Sequence, residues 1–304
     1  MKKTTVSVAG CSLADILYAD IDFTAPAFTA CASKKDGDGG LAPGKLVFAD
    51  ALEAFTGKSY PELKRALTGG RAPHAENLGG PAIVGAINAS QILSDLPVTF
   101  KFYGATGNDG TADFLRSIIA KTPLDASNYV TLPGASPSTD VLSDPRAHDG
   151  KGERTFINTI GACYTYTPEQ LPDAFYEADI SWFGATALVP SFHEKLSVLL
   201  KRSHEAGKIN VVSTVFDFIN EMRNPDKPWP MGDGTESYKY IDLLIVDWEE
   251  AVRLSGKSDL TEISGFLSSS GVSSFVITHG AKDFYVWSDG RVFRKTPLTP
   301  YPVS

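Results

Sequence analysis

The chain has 304 residues, 42% of them apolar, and a formal net charge of −8, which is material for one large domain or two modest ones with a substantial core. With no basic block to offset phosphate charge, the acidic balance argues against a nucleic-acid or anionic-membrane partner, and a small neutral or metal-escorted substrate fits better. Three scattered cysteines, Cys11, Cys31 and Cys163, make neither a disulfide framework nor a zinc cage and point to a reducing, cytoplasmic compartment.

Near the N-terminus, Lys2-Lys3 ahead of Val8-Ala9-Gly10-Cys11 imitates a lipoprotein cleavage box. The stretch between is shorter than the roughly 7–15 apolar residues a signal needs, so it is read as a first strand, Thr5–Gly10. No apolar run approaches the ~18 residues of a membrane span. Leu13–Phe23 has β character, with Asp15, Asp20 and Asp22 interleaved. Residues 24–78 are rich in Pro, Gly and Lys, with helical patterns only at Phe48–Phe55 and Pro61–Leu67. They are expected to be an insertion without a core of its own.

Asn77-Leu78-Gly79-Gly80-Pro81 opens a helix over Ala82–Leu93, whose proline and preceding glycines suit an N-terminus with exposed amides. Val98–Tyr103 reads as a strand, Gly104–Asp109 as a loop, and Thr111–Ala120 as a helix with Phe114, Leu115, Ile118 and Ile119 on one face. Tyr129–Leu132, Thr139–Leu142 and Arg154–Ile157 read as short strands of a small sheet outside the main layer. Alternation then resumes: strand Ile180–Phe183, helix Ser191–Glu205 ended by Gly207, and strand Ile209–Val215. After a polar connection, Leu243–Val246 breaks into Asp247-Trp248-Glu249-Glu250, two helices follow, and a strand Ser274–Thr278 ends in Thr278-His279-Gly280. Phe284–Trp287 and Arg291–Arg294 form a hairpin. Repeated strand–helix pairs predict an α/β fold, a doubly wound and mostly parallel sheet with helices on both faces. Ligands bind at the carboxyl edge of such a sheet, where the three carboxylates stand.

Gly39-Gly40-Leu41-Ala42-Pro43-Gly44-Lys45 has P-loop spacing, but Leu46 stands where Ser or Thr would hold magnesium and no strand precedes it. Gly57-Lys58-Ser59 lacks the earlier glycine, having Leu52 there. No GxGxxG follows a strand and no GxSxG elbow is present, so dinucleotide oxidoreductases and serine hydrolases lose their main support.

Taken in order, the remaining motifs resemble the ribokinase-like (PfkB) carbohydrate kinases over nearly the whole chain. Asp15 after Gly10-Cys11-Ser12 resembles the sugar-binding aspartate, and Gly79-Gly80 the paired glycines under the sugar. Tyr103-Gly104-Ala105-Thr106-Gly107-Asn108-Asp109 resembles the G-x-x-G-x-D loop. Ser138-Thr139 and Gly152-Glu153-Arg154-Thr155 resemble segments of a β lid. Asp247-Trp248-Glu249-Glu250 stands where the family has N-x-x-E, and Thr278-His279-Gly280 matches its T-x-G. Val84, Ala112 and Asp283 depart from the pattern.

The resemblance implies a single ribokinase-like domain over 1–304, with lid segments near 13–23 and 128–158 and the insertion at about 24–78. It implies a kinase using ATP and Mg2+ on a sugar hydroxymethyl group, with a homodimer through the lid. Asp15, Gly79, Gly80, Asn77, Thr139 and Arg154 would bind the sugar, Thr278 and Gly280 the nucleotide phosphates, and Glu250 and Asp247 the metal. The family's G-A-G-D segment, with the catalytic aspartate, would lie beyond Ser304. This chain would then carry no catalytic base and be inactive alone. Rival expectations are a non-catalytic sugar- or nucleoside-binding protein of this fold and a nucleoside kinase.

Overall fold

The computed structural model describes residues 3–35 and 37–295. Strands β1 (Thr4–Gly10) and β2 (Leu13–Tyr18) are separated only by Cys11-Ser12. A short helix α1 (Pro26–Thr29), strand β3 (Leu46–Phe48), helices α2 (Ala49–Thr56) and α3 (Tyr60–Thr68) and strand β4 (Ala75–Gly79) follow. Next come helix α4 (Pro81–Ile92), strand β5 (Val98–Thr106), helix α5 (Gly110–Ile119) and strand β6 (Asp125–Thr131). Strands β7 (Ser138–Asp144) and β8 (Glu153–Thr159) are joined through a single turn, α6 (Ala147–Gly150).

Strand β9 (Ile180–Gly184) leads to α7 (Pro190–His193), α8 (Leu196–Glu205), β10 (Ile209–Ser213) and α9 (Phe218–Arg223). Strand β11 (Leu243–Asp247), helices α10 (Trp248–Ser255) and α11 (Leu260–Ser269) and strand β12 (Ser274–Thr278) complete the parallel part. The hairpin β13 (Phe284–Ser288) and β14 (Arg291–Lys295) adds two antiparallel strands.

The large sheet runs β14-β13-β12-β11-β10-β9-β1-β5-β6. Strand order reverses at β1, where β5 and β6 lie to one side and β9 to β12 to the other, so the crevice beside β1 is the switch point where ligands bind in such sheets. Helix α4 buries Ala82, Ile83 and Ala86 against Val8 and Phe102 on one face. On the other face Leu200, Ala251, Leu254 and Ile263 join Val212, Leu244, Phe275 and Ile277 in a second cluster. Burying each of the Val, Leu, Ile and Phe side chains among them is worth about 1.5–3 kcal/mol.

The second sheet runs β3-β8-β7-β2-β4 and stands at the carboxyl end of β1, since β2 leaves that strand through two residues. Its outer face carries Ala14, Ile16, Tyr18, Leu142 and Ile157, covered by Phe28 of α1, Leu52 of α2 and Leu63 and Leu67 of α3. The 24–78 stretch thus shares its core with the lid, and it supplies the lid's two edge strands as well.

Several sequence expectations are corrected here. Tyr129–Leu132 was expected in the small sheet, but Asp125–Thr131 pairs with β5 at the edge of the large one. Its Tyr129 is buried beside Phe102, a contact that only the tertiary packing supplies. The lid therefore does not include that strand. Leu13–Phe23 stops pairing at Tyr18, because Asp20 takes a left-handed conformation, φ 57°, that turns the chain. The single helix expected over Ser191–Glu205 is broken at Lys195, φ −127°. No helix of the described residues is long and apolar enough to cross a membrane.

Among the described residues one side of the large sheet is left open beyond β9. Trp182, Val211 and Leu243 pair across one row, and Ile245, Val276, Val286 and Phe293 across the next. These are half-buried or exposed, Phe293 at 54%, whereas Val212, Leu244, Phe275 and Ile277 on the opposite side are 1% exposed or less.

Candidate active site

Cross-strand register builds the lid's inner surface. Asp15 pairs with Asn77 on one side and Thr139 on the other, Thr139 pairs with Asn158, and Asn158 pairs with Phe48. Paired residues share a face, so Asn77, Asp15, Thr139, Asn158 and Phe48 form one row. The opposite parity, Ala14, Ile16 and Ile157, lies in the outer core. Burial pushes the Asp15 carboxyl above its ordinary range, and it accepts no hydrogen bond from the described residues. Asn158 donates from Nδ2 to Thr139 Oγ1 at 2.9 Å.

Asn158 escaped the sequence reading, which ended that strand at Ile157. The period-two series Arg154, Phe156, Asn158 is the signal that would have found it. Arg154 is exposed and pairs with Ser143, four residues down the strand from Asn158, so it is not brought beside Asp15. Asn77 sits on β4 and is exposed, where the sequence suggested a turn.

Gly79 and Gly80 work by allowing close approach. A Cβ on Gly79 would fall 2.2 Å from Asp15 Oδ2, and one on Gly80, whose φ is +98°, 2.9 Å from Ser12 Cα. The expectation of exposed amides at this helix start is corrected. Pro81 has no N–H, Ile83 N–H donates to the Cys11 carbonyl and Ala82 N–H to the Cys11 thiol, and Ala82 and Ile83 are both fully buried. Burial pushes the Cys11 thiol up to about 12, so it is not a nucleophile.

Across the sheet edge, α10 opens with a reciprocal cap. Asp247 accepts from Glu250 N–H at 2.7 Å, and Glu250 Oε2 accepts from Asp247 N–H at 3.1 Å and from the Thr214 hydroxyl. Glu250 is 7% exposed, and burial raises its carboxyl. Oε1 of Glu250 and Oδ2 of Asp247 have no partner among the described residues. Asp247 pairs in register with Thr278 of β12, which brings the acids and the Thr278-His279-Gly280 turn together as expected. Gly280 has φ +56° and open space at its Cβ position. The His279 ring stacks on Trp248, centroids 4.8 Å apart and 6° between planes, a contact no sequence spacing announced.

Asp109 of the G-x-x-G-x-D loop is exposed, but its carboxylate is engaged within the chain. Burial would raise it, but bonds from the Ser136 hydroxyl and amide and the Ala112 amide hold it below the ordinary carboxylate range. Asp217, unassigned by the sequence, caps α9 and accepts from or pairs with His193 Nε2 at 3.1 Å, whose Nδ1 lies 2.9 Å from the Thr186 hydroxyl. A cavity of about 580 Å³ opens between Phe48 and Ala51 on the lid side and Pro190, Met222 and Arg223 opposite. Among the described residues no group of three or more His, Cys, Asp or Glu side chains gathers as a metal cage.

The fold matches solved kinases at low identity. An adenosine kinase from Anopheles gambiae in complex with P1,P4-di(adenosine-5) tetraphosphate aligns with TM-score 0.70 at 16% identity over 99% of this chain and 84% of its own. A ribokinase from Thermotoga maritima gives 0.66 at 16%, over 99% and 80%. A fructokinase with bound ATP from Xylella fastidiosa gives 0.65 at 16%, over 99% and 76%. No curated protein matches in sequence. The sequence model described as pfkB family carbohydrate kinase matches residues 77–301, and with the strand order and lid described above this chain belongs to the pfkB family of carbohydrate kinases.

Proposed function

We propose that this chain carries the substrate and metal side of an ATP-dependent kinase that phosphorylates a hydroxymethyl group of a sugar or sugar-like alcohol. The observation that carries the reading is Asp15, a half-buried carboxylate with no hydrogen-bond partner among the described residues, standing over Gly79 at the switch point. Such a group takes its partners from a ligand, and vicinal sugar hydroxyls are donors of the right kind. Gly79 and Gly80 leave room beneath the sugar and Asn77 and Thr139 flank it, while Arg154 stands away from it on β8.

Phosphoryl transfer needs positioning and charge neutralisation more than covalent help from the protein. Thr278 and Gly280 would face the nucleotide phosphates. Magnesium binds through one or two carboxylates and keeps several waters, and the unengaged oxygens of Glu250 and Asp247 fit that demand. When bound, the ion would neutralise phosphate charge; the chain's own part is to hold Glu250 rigid through Thr214 and the Asp247 amide. The ATP in the fructokinase neighbour supports the choice of nucleotide.

The base and the amides that receive the transferring phosphoryl are assigned to a segment beyond Ser304. The apolar side of β10 to β14 that the described residues leave open supports this, since a sheet face of that kind is stable when another layer covers it. Because α1 to α3 occupy the lid's outer face, a homodimer through the lid would use its edge strands, β3 or β4.

A coupled ADP-release assay with D-ribose, D-fructose and adenosine tests the proposal, run on the form continued past Ser304. Turnover of one of them, lost in Asp15→Ala, is the expected result. A reading frame that stops at Ser304, or no ADP release from a folded, continued chain, removes the kinase reading.

A further inference from the structure

Asn158 stands in the same inner row as Asp15 and Thr139, two strands from the carboxylate. It is 2% exposed. Its Nδ2 bonds Thr139 Oγ1, and its Oδ1 has no partner among the described residues. Turning the amide over would leave the nitrogen unpartnered instead, so in either orientation one polar atom of a buried side chain is unsatisfied. Among the described residues other buried side-chain atoms, such as Asn210 Oδ1, also lack a partner, but Asn158 Oδ1 is the one on the lid, in the row that carries Asp15, and such an atom calls for a partner. The neighbouring groups are a Thr hydroxyl that already accepts from Asn158, and the aromatic ring of Phe48, which closes the row.

We propose that Asn158 is a specificity-determining residue of the sugar cleft, making a hydrogen bond to a substrate hydroxyl that Asp15 does not reach. The inference rests on the kinase reading of this cleft and adds a substrate requirement to it. Adjacent strands are about 4.8 Å apart, so Asp15 and Asn158 are separated by about 10 Å across the row. A sugar ring with hydroxyls on opposite sides spans the side chains reaching inward from those two positions. Thr139 lies between them, its oxygen occupied by Asn158 and its proton free to be donated to the same ring. The row therefore reads polyols and disfavours substrates lacking the second hydroxyl, because an unfilled site would leave the amide atom desolvated and unpaired.

The test is calorimetric binding of D-ribose, D-fructose and adenosine to the full chain, its Asn158→Ala and Asn158→Ser forms, and Asp15→Ala. The expected result is that one probe binds, that either Asn158 change weakens it about tenfold, and that one monodeoxy analogue of that probe no longer senses the change. Affinity within twofold of the unaltered chain in a folded Asn158 variant, with binding lost in Asp15→Ala, overturns the role of Asn158 and leaves the kinase cleft standing. Binding indifferent to both positions, or absent for all three probes, overturns the cleft reading and this one together. Should both Asn158 variants fail to fold, the side-chain amide resonance of Asn158 in the unaltered chain decides. A shift on adding the bound probe supports the contact, and no shift refutes it.

Discussion

Asp247 and Glu250 hydrogen-bond each other twice, each carboxylate taking the other's backbone N–H. The pair ends β11 and starts α10 in one motif, and Thr214 at the end of the neighbouring strand donates to the same Glu250 oxygen. A capping box of this kind is worth about 1 kcal/mol. Glu250→Ala strips the cap and leaves the Asp247 amide without its acceptor, while the Thr214 hydroxyl keeps the Ile245 carbonyl at 3.3 Å, so a loss of about 1–2 kcal/mol is expected in denaturant unfolding. Glu250→Gln keeps an oxygen in place and should unfold close to the unaltered chain. Its Mg2+-dependent nucleotide binding should nevertheless fall. Equal stability of the Ala and Gln forms would show that the cap does not hold the helix.

Asp15 yields a pH prediction. Burial raises its carboxyl above the ordinary value, so at neutral pH the charged group is worse off folded than unfolded. Asp15→Asn removes that penalty and should raise the melting temperature while abolishing sugar binding, a trade-off common at binding sites. The sign is fixed by linkage: the gain is full above the folded pKa, shrinks as pH falls through it, and vanishes near the unfolded value of about 3.9. Melting curves between pH 4 and 8 check this. A gain that persists unchanged at the acid end would contradict it.

In the lid's outer core, Asp140 is 2% exposed and is bonded by Lys64 Nζ at 2.8 Å and by the Tyr60 hydroxyl, both from α3. These bonds fasten the 24–78 stretch to β7. Removing one partner of a buried pair strands the other, but Lys64 is 31% exposed and can rehydrate. Asp140→Ala is therefore expected to cost about 2 kcal/mol, below the usual buried-pair range. Replacing Asp140 and Lys64 together by Leu and Met should recover most of it. A double variant as unstable as the single one would show that the bonds, and not the stranded charge, set the cost.

Long strands, the α4 start and the β11–α10 junction are legible because hydrophobic runs end at Gly10 and Asp247 and another begins at Pro81 after two glycines, the punctuation those elements need. Asp15, Gly79 and Glu250 could be placed for the same reason. Strand partners could not. Tyr129 reads the same whether its strand joins the lid or the large sheet, and only its packing on Phe102 decides. Three-residue β3 is too short for any period, so Phe48 was read as the start of a helix, and the row it closes was invisible. Asn158 carries no motif at all; its position opposite Thr139 is a property of register.

Neighbouring glycines should separate function from stability. A methyl at Gly79 meets the ends of the Asp15 and Leu13 side chains, which can shift aside, whereas at Gly80 it meets backbone at a positive φ. Gly80→Ala is expected to cost about 2 kcal/mol or more. Gly79→Ala should melt within a few degrees of the unaltered chain yet bind sugar poorly, because Asp15 has moved. Normal binding by a folded Gly79→Ala would mean the carboxylate's seat on the glycine is unimportant.

The open side of the large sheet gives the last prediction. Val276 and Phe275 are adjacent on β12 but point to opposite sides; Phe275 is 1% exposed and stacks on Trp287, while Val276 is only half-buried beside Val286. Phe275→Ala opens a cavity in a packed core and should cost about 3–5 kcal/mol. Val276→Thr keeps the shape of the side chain and adds a hydroxyl, which costs little where water reaches it and 1–3 kcal/mol where it is desolvated without a partner. On this chain alone the expected cost is within about 0.5 kcal/mol. In a form continued past Ser304, a segment packed on this face would raise the cost of Val276→Thr and leave that of Phe275→Ala unchanged. The difference between the two forms therefore tests for such a cover independently of any activity, and equal costs of Val276→Thr in both would show that no such segment packs on this face.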